Sequence, residues 1–283
     1  MLKRLRFILT VIALLAAVGI SAQVTTATMS GKVTAQDEPI IGATIVAIHE
    51  PSGTRYGTVT NVSGQFTLQG MRTGGPYKVE ISYVGYQTAI YKGINLLLGE
   101  NYVLNVSLKE SSELLDEVVV TASKDSNMKS DRAGAVTNLT SAKIASIPTV
   151  SRSMNDIMRL SPQSNTTSNG FAAGGGNYRQ SFVTVDGASF NNAFGIGSNL
   201  PAGGAPISLD ALEQLSVSIT PYDVRQSGFT GAAINAVTKS GTNELTGSAY
   251  TFLTNNNLIG DRVGDNSIEL EKSHQYTYGA TLG

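Results

Sequence analysis

The sequence predicts a mainly β protein in three consecutive parts: a seven-stranded sandwich, an α+β domain, and the first strands of a truncated transmembrane barrel. Three observations predict it. Between residues 28 and 109, apolar and polar residues alternate in short runs broken by turn clusters. From 133 to 241, two short helical patterns are set among further strand-like runs. Beyond 242 the alternating runs lengthen to the ~10 residues of a membrane-barrel strand.

Composition agrees and removes several function classes. Of 283 residues, 41% are hydrophobic, 14% are charged and 30 are Gly, which is too apolar for a disordered chain and suits turn-rich β structure. The formal net charge is -1, so there is no electrostatic case for a nucleic acid partner. Cysteine is absent and only His49 and His274 are present, which excludes disulfides, thiolate metal sites and a Cys nucleophile. Too few ligands remain for most zinc chemistry. No catalytic group, metal or cofactor is expected, and the chain does not read as an enzyme.

The N-terminus reads as an export signal, residues 1–22. Lys3, Arg4 and Arg6 precede the apolar run from Phe7 to Gly19, and the small pair Ser21-Ala22 places cleavage before Gln23. The run is shorter than the ~20 residues of a spanning helix. No other segment approaches that length, so any membrane insertion must use strands.

The sandwich is assigned to residues 28–109. Tyr77, Val79, Ile81 and Tyr83 alternate with Lys78, Glu80 and Ser82, and Tyr102, Leu104, Val106 and Leu108 repeat the period. The run from Gly42 to His49 is apolar on both parities, as a central strand would be, and short strands fit Met29 to Val33 and Gln65 to Leu68. Turn chemistry separates them at Pro51-Ser-Gly53, Asn61-Val-Ser-Gly64 and Gly74-Gly-Pro76. His49 reads as a strand-end or turn histidine rather than a ligand.

Ser30-Gly-Lys-Val33, Pro39-Ile-Ile-Gly-Ala43, Thr60-Asn-Val-Ser-Gly-Gln-Phe66 and Ser82-Tyr-Val-Gly-Tyr86 occur in an order that resembles the carboxypeptidase regulatory-like domain. The resemblance implies a transthyretin-like β-sandwich, grouped with carbohydrate-binding folds. Asn61 stands where that family usually has Asp. Either side chain can hold the turn by bonding to backbone two residues on.

Residues 110–132 form a polar linker around one strand-like run. Leu114-Leu-Asp-Glu-Val-Val-Val-Thr-Ala122 carries three successive valines, and polar stretches flank it on both sides. A short, isolated strand cannot fold alone, but it can add to the edge of another protein's sheet. Asp116, Glu117, Val118, Val119, Val120, Thr121 and Ala122 resemble a TonB box. The resemblance implies binding to the TonB C-terminal domain of the TonB-ExbB-ExbD energy system. The plainer alternative is a last strand of the sandwich or an ordinary linker strand.

Phe182-Val-Thr-Val-Asp-Gly187 and the run from Ile219 to Asn243 give residues 133–241 a resemblance to the plug of TonB-dependent receptors. Thr140 to Ile147 reads as a capped helix ending at Pro148, and Ser151 to Leu160 as a second with Met154, Ile157 and Met158 on one face. A polar, Gly-rich stretch follows, Ser164 to Asn177, within which Gly174-Gly-Gly176 reads as a mobile loop rather than a phosphate cradle. Ser181 to Val185, the turn Asp186-Gly187, and Leu212 to Ile219 read as strands around a turn. The resemblance is carried by Phe182-Val-Thr-Val-Asp-Gly187 and by the run from Ile219 to Asn243. The latter contains Pro221-Tyr-Asp-Val-Arg225 and Gly228-Phe-Thr-Gly231, spellings that lean towards Oar-like transporters. It implies a plug held in a polar lumen, where Arg179, Arg225 and Asp186 are candidates for ionic locks; Arg152 and Arg159 are further arginines of this kind. Asn177, Tyr178, Asn191 and Asn192 are candidates for the ligand-facing apex, near 170–177 and 191–202.

Residues 242–283 supply two barrel-like strands. Asn243 to Thr254 places Tyr250 and Phe252 on one parity, and His274 to Leu282 alternates throughout, with a polar acidic loop between. Two strands cannot close a barrel that in this class has about 22. The expected function is therefore the N-terminal part of an outer-membrane TonB-dependent transporter, with the sandwich in the periplasm of a Gram-negative cell. Its partners would be membrane lipid and an unidentified extracellular ligand, whether glycan, peptide or protein. The alternative is a secreted or surface β-sandwich module that binds carbohydrate or protein.

Overall fold

The computed structural model describes residues 24–110, 118–121, 136–149, 153–167, 170–192, 200, 207–219, 230–255, 258, 262–264, 266–267 and 274–283. The export signal lies outside them. The chain divides into two compact units, Met1–Lys239 and Ser240–Gly283.

The first unit begins with the expected sandwich. In one sheet, β1 (Ala27–Ala35) pairs antiparallel with β2 (Glu38–Pro39) and β5 (Gln65–Met71). It also pairs in parallel with β8 (Asn101–Val103) and β9 (Val106–Ser107). The other sheet contains β3 (Thr44–His49), β4 (Thr54–Val59), β6 (Gly74–Ser82), β7 (Ala89–Leu96) and β10 (Val118–Thr121). Their order is β10-β7-β6-β3-β4. Seven strands therefore undercount the two sheets. The alternating run from Tyr102 to Leu108 is cut in two, because the Leu104 N–H turns to donate to the Ser30 carbonyl at 2.8 Å. That crossing explains Gly31, where any Cβ would lie 1.8 Å from the Leu104 carbonyl oxygen.

Alternation places the core as expected. Tyr77, Val79 and Ile81 are buried and meet Met29, Ile45 and Met71 between the sheets. The β3 strand is central, between β6 and β4, but its burial alternates instead of covering both faces. Thr60 is buried at the end of the β3–β4 hairpin and closes its entrance. Its hydroxyl accepts from the Ala43 N–H at 2.8 Å and donates to the Ile40 carbonyl at 2.7 Å. Asn61 holds the next turn, its Oδ1 accepting from the Ser63 and Gln65 N–H groups, both at 2.9 Å.

The α+β region has a five-stranded sheet of order β11-β16-β17-β14-β15. Its strands are β11 (Val136–Thr140), β14 (Phe182–Val185), β15 (Ala188–Ser189), β16 (Leu212–Ser218) and β17 (Ala233–Thr238). Helices α1 (Ser141–Ser146) and α2 (Met154–Met158) pack on it, with Met154, Ile157 and Met158 fully buried in a second core. Thr140 precedes α1 but makes no side-chain cap bond, because it is still the last paired residue of β11. The polar, Gly-rich stretch begins with a hairpin, in which β12 (Ser164–Thr167) pairs with β13 (Gly170–Ala173), and β13 is buried throughout; Gly174 and Gly175 follow as a turn.

The second unit is a long hairpin. β18 (Gly247–Asn255) pairs antiparallel with β21 (His274–Leu282) in register from Gly247↔Leu282 to Asn255↔His274. Between them the small strands β19 (Arg262–Val263) and β20 (Asn266–Ser267) pair with each other. Tyr250 and Phe252 stack at 5.7 Å between ring centroids, and the Tyr250 ring covers Gly279, its cross-strand partner. An aromatic ring laid over a strand glycine restores the packing surface the glycine lacks. Tyr276, Tyr278 and Leu282 are exposed.

Candidate functional site

The valine-rich segment is not the isolated strand that its flanks suggest. Val118, Val119, Val120 and Thr121 pair in parallel with Ala89, Ile90, Tyr91 and Lys92 of β7. The reason is that β7 would otherwise be a sheet edge with unpaired N–H and C=O groups, and a nearby strand of high β-propensity satisfies them. As the end strand of its sheet, β10 has no partner on its other side among the described residues. Asp116, Glu117 and Ala122 lie outside the described residues.

The α+β region uses its polar residues for structure where the sequence suggests ligand contact. Asn191 Oδ1 accepts from the Val183 N–H at 2.6 Å, and its Nδ2 donates to the Ser181 carbonyl at 2.8 Å. One side-chain amide thus pairs with β14 as a neighbouring strand would, which commits both ends of Asn191 to the fold. Asn192 follows it, half-buried. Asn177 caps the 3-10 turn Tyr178–Gln180 in a reciprocal capping box with Gln180.

The lock candidates, expected to meet carboxylates of a barrel wall, are described in part. Arg179 and Asp186 flank opposite ends of β14. The Arg179 Nε donates to the Tyr178 hydroxyl at 3.1 Å. The Asp186 carboxylate accepts from the Thr238 N–H at 2.9 Å and hydroxyl at 2.7 Å, fastening the end of β17. Arg159 pairs with Asp156 one turn back on α2, at 3.0 Å. Arg152 and Arg225 lie outside the described residues, as does most of 191–202.

His49 closes the strand end that the sequence assigns it. Its Nδ1 shares a hydrogen bond of 2.7 Å with the Ser52 hydroxyl, which bonds in turn to Thr54 at 2.8 Å. Its ring lies 4.9 Å from that of Tyr77. Burial, and secondarily the charge of Arg72, hold its pKa below the usual histidine value. Among the described residues no group of three or more His, Asp or Glu could hold a metal ion.

Sequence reasoning missed Gln214. Its side chain leaves β16 and reaches the sandwich just beyond β7. There Oε1 accepts from the Leu98 N–H and Nε2 donates to the Leu96 carbonyl, both at 2.8 Å. Beside it the Asn138 Nδ2 of β11 donates to Glu100 at 2.7 Å. A Cβ at Gly74 would lie 2.8 Å from the Glu213 carboxylate, so that glycine makes room for the contact. The available signal was the polar set Gln214, Ser216 and Ser218 on alternate positions of β16, all of it buried. Alternation alone reads that set as a wet face.

Comparison with known proteins finds similarity over parts of the chain. Residues 28–109 match the carboxypeptidase regulatory-like domain. Over 139 residues, 47% of this chain, the sequence is 29% identical to the TonB-dependent transporter Oar of Myxococcus xanthus. The match spans only 12% of that transporter. Among solved structures, the siderophore receptor PirA of Acinetobacter baumannii is similar over 43% of this chain and 19% of its own, at 23% identity and a TM-score of 0.37. A ferric enterobactin receptor (PfeA) variant of Pseudomonas aeruginosa, bound to enterobactin, is similar over 44% and 20%, at 22% identity and a TM-score of 0.36. By name these three are a transporter and two receptors.

Proposed function

We propose that this chain is the N-terminal part of an outer-membrane TonB-dependent transporter of the Oar type, with residues 133–241 as its plug and 116–122 as its TonB-binding segment. The observation that carries the reading is a valine-rich strand with one open edge, set in the chain between a sandwich and a plug-like domain. Extracellular ligand is bound by the plug and barrel. The TonB C-terminal domain adds a strand to the open edge of β10 and pulls. Main-chain hydrogen bonds supply affinity that depends little on side chains. The sandwich lies in the periplasm, where the energy system can reach it. The β18–β21 hairpin begins the barrel, its exposed tyrosines suited to a membrane interface. The similarity to the Myxococcus xanthus transporter and the order of the domains support this reading.

The test is titration of a peptide spanning residues 109–126 against the TonB C-terminal domain. Binding that Val119→Pro weakens at least tenfold is expected, because proline removes a ladder donor. A peptide that does not bind, or a proline variant that binds equally well, rejects the assignment.

A further inference from the structure

The sandwich and the plug are joined by more than the chain that runs between them. Gln214 grips two backbone groups of the sandwich, Asn138 reaches Glu100, and Glu213 sits against Gly74. Leu97 and Leu98 are buried, yet they belong to neither hydrophobic core. They are what an interdomain junction would cover. The strand that carries β10 along residues 89–92 is the strand whose end Gln214 holds at Leu96.

We propose that Gln214 makes the sandwich and the plug one mechanical body, so that the sandwich is a second handle on the plug. Load on the segment at 118–121 then has two routes. One follows the chain into β11, the edge strand hydrogen-bonded to β16. The other passes from β10 to β7 and through Leu96 and Leu98 to Gln214, which is on β16 itself. Both converge on the same strand pair. This gives the carboxypeptidase regulatory-like domain a task, force-bearing, that needs no ligand of its own. The force-bearing role rests on the transporter reading; the junction itself does not.

The experiment cuts the covalent route and asks whether the other holds. A site-specific protease sequence replaces residues 125–131 in the full chain, and the cleaved product is passed over a sizing column. The two halves are expected to co-elute. In Gln214→Ala they separate, with at least a tenfold loss in affinity, and the Leu98 amide loses its protection from hydrogen exchange in the uncut chain. Should Gln214→Ala fail to fold, Leu98→Pro removes the donated N–H from the sandwich side and must separate the halves in the same way. Separation of the unsubstituted halves overturns the proposal. So does co-elution of the folded variant halves. TonB takes no part in the assay, so its outcome is independent of whether residues 109–126 bind TonB.

Discussion

If a partner strand adds to the open edge of β10, fastening β10 to β7 should leave partner binding intact. The perturbation is the double substitution Lys92→Cys and Thr121→Cys. The two positions are register partners, and the chain has no other cysteine. Adjacent strands lie about 4.8 Å apart, within the Cα separation that a disulfide accepts. The native ladder is marginal by itself. Four residue pairs contribute on the order of 2–6 kcal/mol of hydrogen bonding, against about 4–8 kcal/mol for ordering four residues. The segment therefore exchanges between docked and free forms in the reduced protein. A disulfide closing the chain from 92 to 121 adds about 3.5 kcal/mol in favour of the docked form. If binding required the free form, oxidation would weaken it at least several hundredfold. Addition at the open edge instead predicts affinity unchanged within about threefold, since β10 is already extended and, among the described residues, no strand pairs with its outer edge. The assay is calorimetric titration of the TonB C-terminal domain into the oxidised chain and into the same chain after reduction. Loss of binding on oxidation, recovered with reductant, refutes addition at the open edge. Failure of the two cysteines to bridge refutes the docking itself.

Three further outcomes follow from particular contacts. Thr60→Val leaves the buried Ala43 N–H and Ile40 carbonyl unsatisfied, so it should cost about 2–4 kcal/mol and lower the melting point of the sandwich on the order of 10–20 °C, whereas Thr60→Ser keeps both bonds and most of the stability; thermal unfolding by circular dichroism checks both. Gly31→Ala drives a Cβ into the Leu104 carbonyl and should cost on the order of 3 kcal/mol or more, read as a fall in the urea midpoint; a wild-type midpoint would show that β1 and the Leu104 crossing are not packed as described. His49 is disfavoured as a cation when folded, so its neutral form adds no penalty above the ordinary value of 6.5. Stability falls as pH drops from there towards the lowered folded value, because the unfolded chain takes up the proton first. His49→Gln should flatten urea midpoints measured between pH 7.5 and 5; an identical slope in both proteins would refute this.

Local patterns carried much of the fold. The alternation of Tyr77, Val79 and Ile81 identifies the face that packs between the sheets, and the alternation from His274 to Leu282 marks a strand that the structure pairs with β18. Met154, Ile157 and Met158 show the buried side of α2 for the same reason, since period and burial are one physical fact. The docking of β10 was legible only as the plainer alternative, a last strand of the sandwich, and the edge it takes was not. Parallel pairing joins residues far apart in sequence, and no turn chemistry announces which edge a strand will meet. Asn191 and Gln214 were hidden differently. An amide side chain in a polar context reads as solvated or as ligand-facing. Only the fold shows that its oxygen and nitrogen face a strand's own N–H and C=O.

That use of amides bears on how the α+β domain is held. A side-chain amide offers one acceptor and one donor, the same complement as a peptide group, so it can end a ladder without extending it. Asn191 does this within the α+β domain, and Gln214 does it between that domain and the sandwich. Had β16 continued the sandwich sheet by main-chain pairing, the two domains would share a ladder that could open only by unfolding a strand. Two bonds from one glutamine contribute about 1–3 kcal/mol, enough to set the register of the two bodies and little enough to be broken under load. In the proposed transporter, a junction of that size would transmit force while the two domains move together and would yield before either core does.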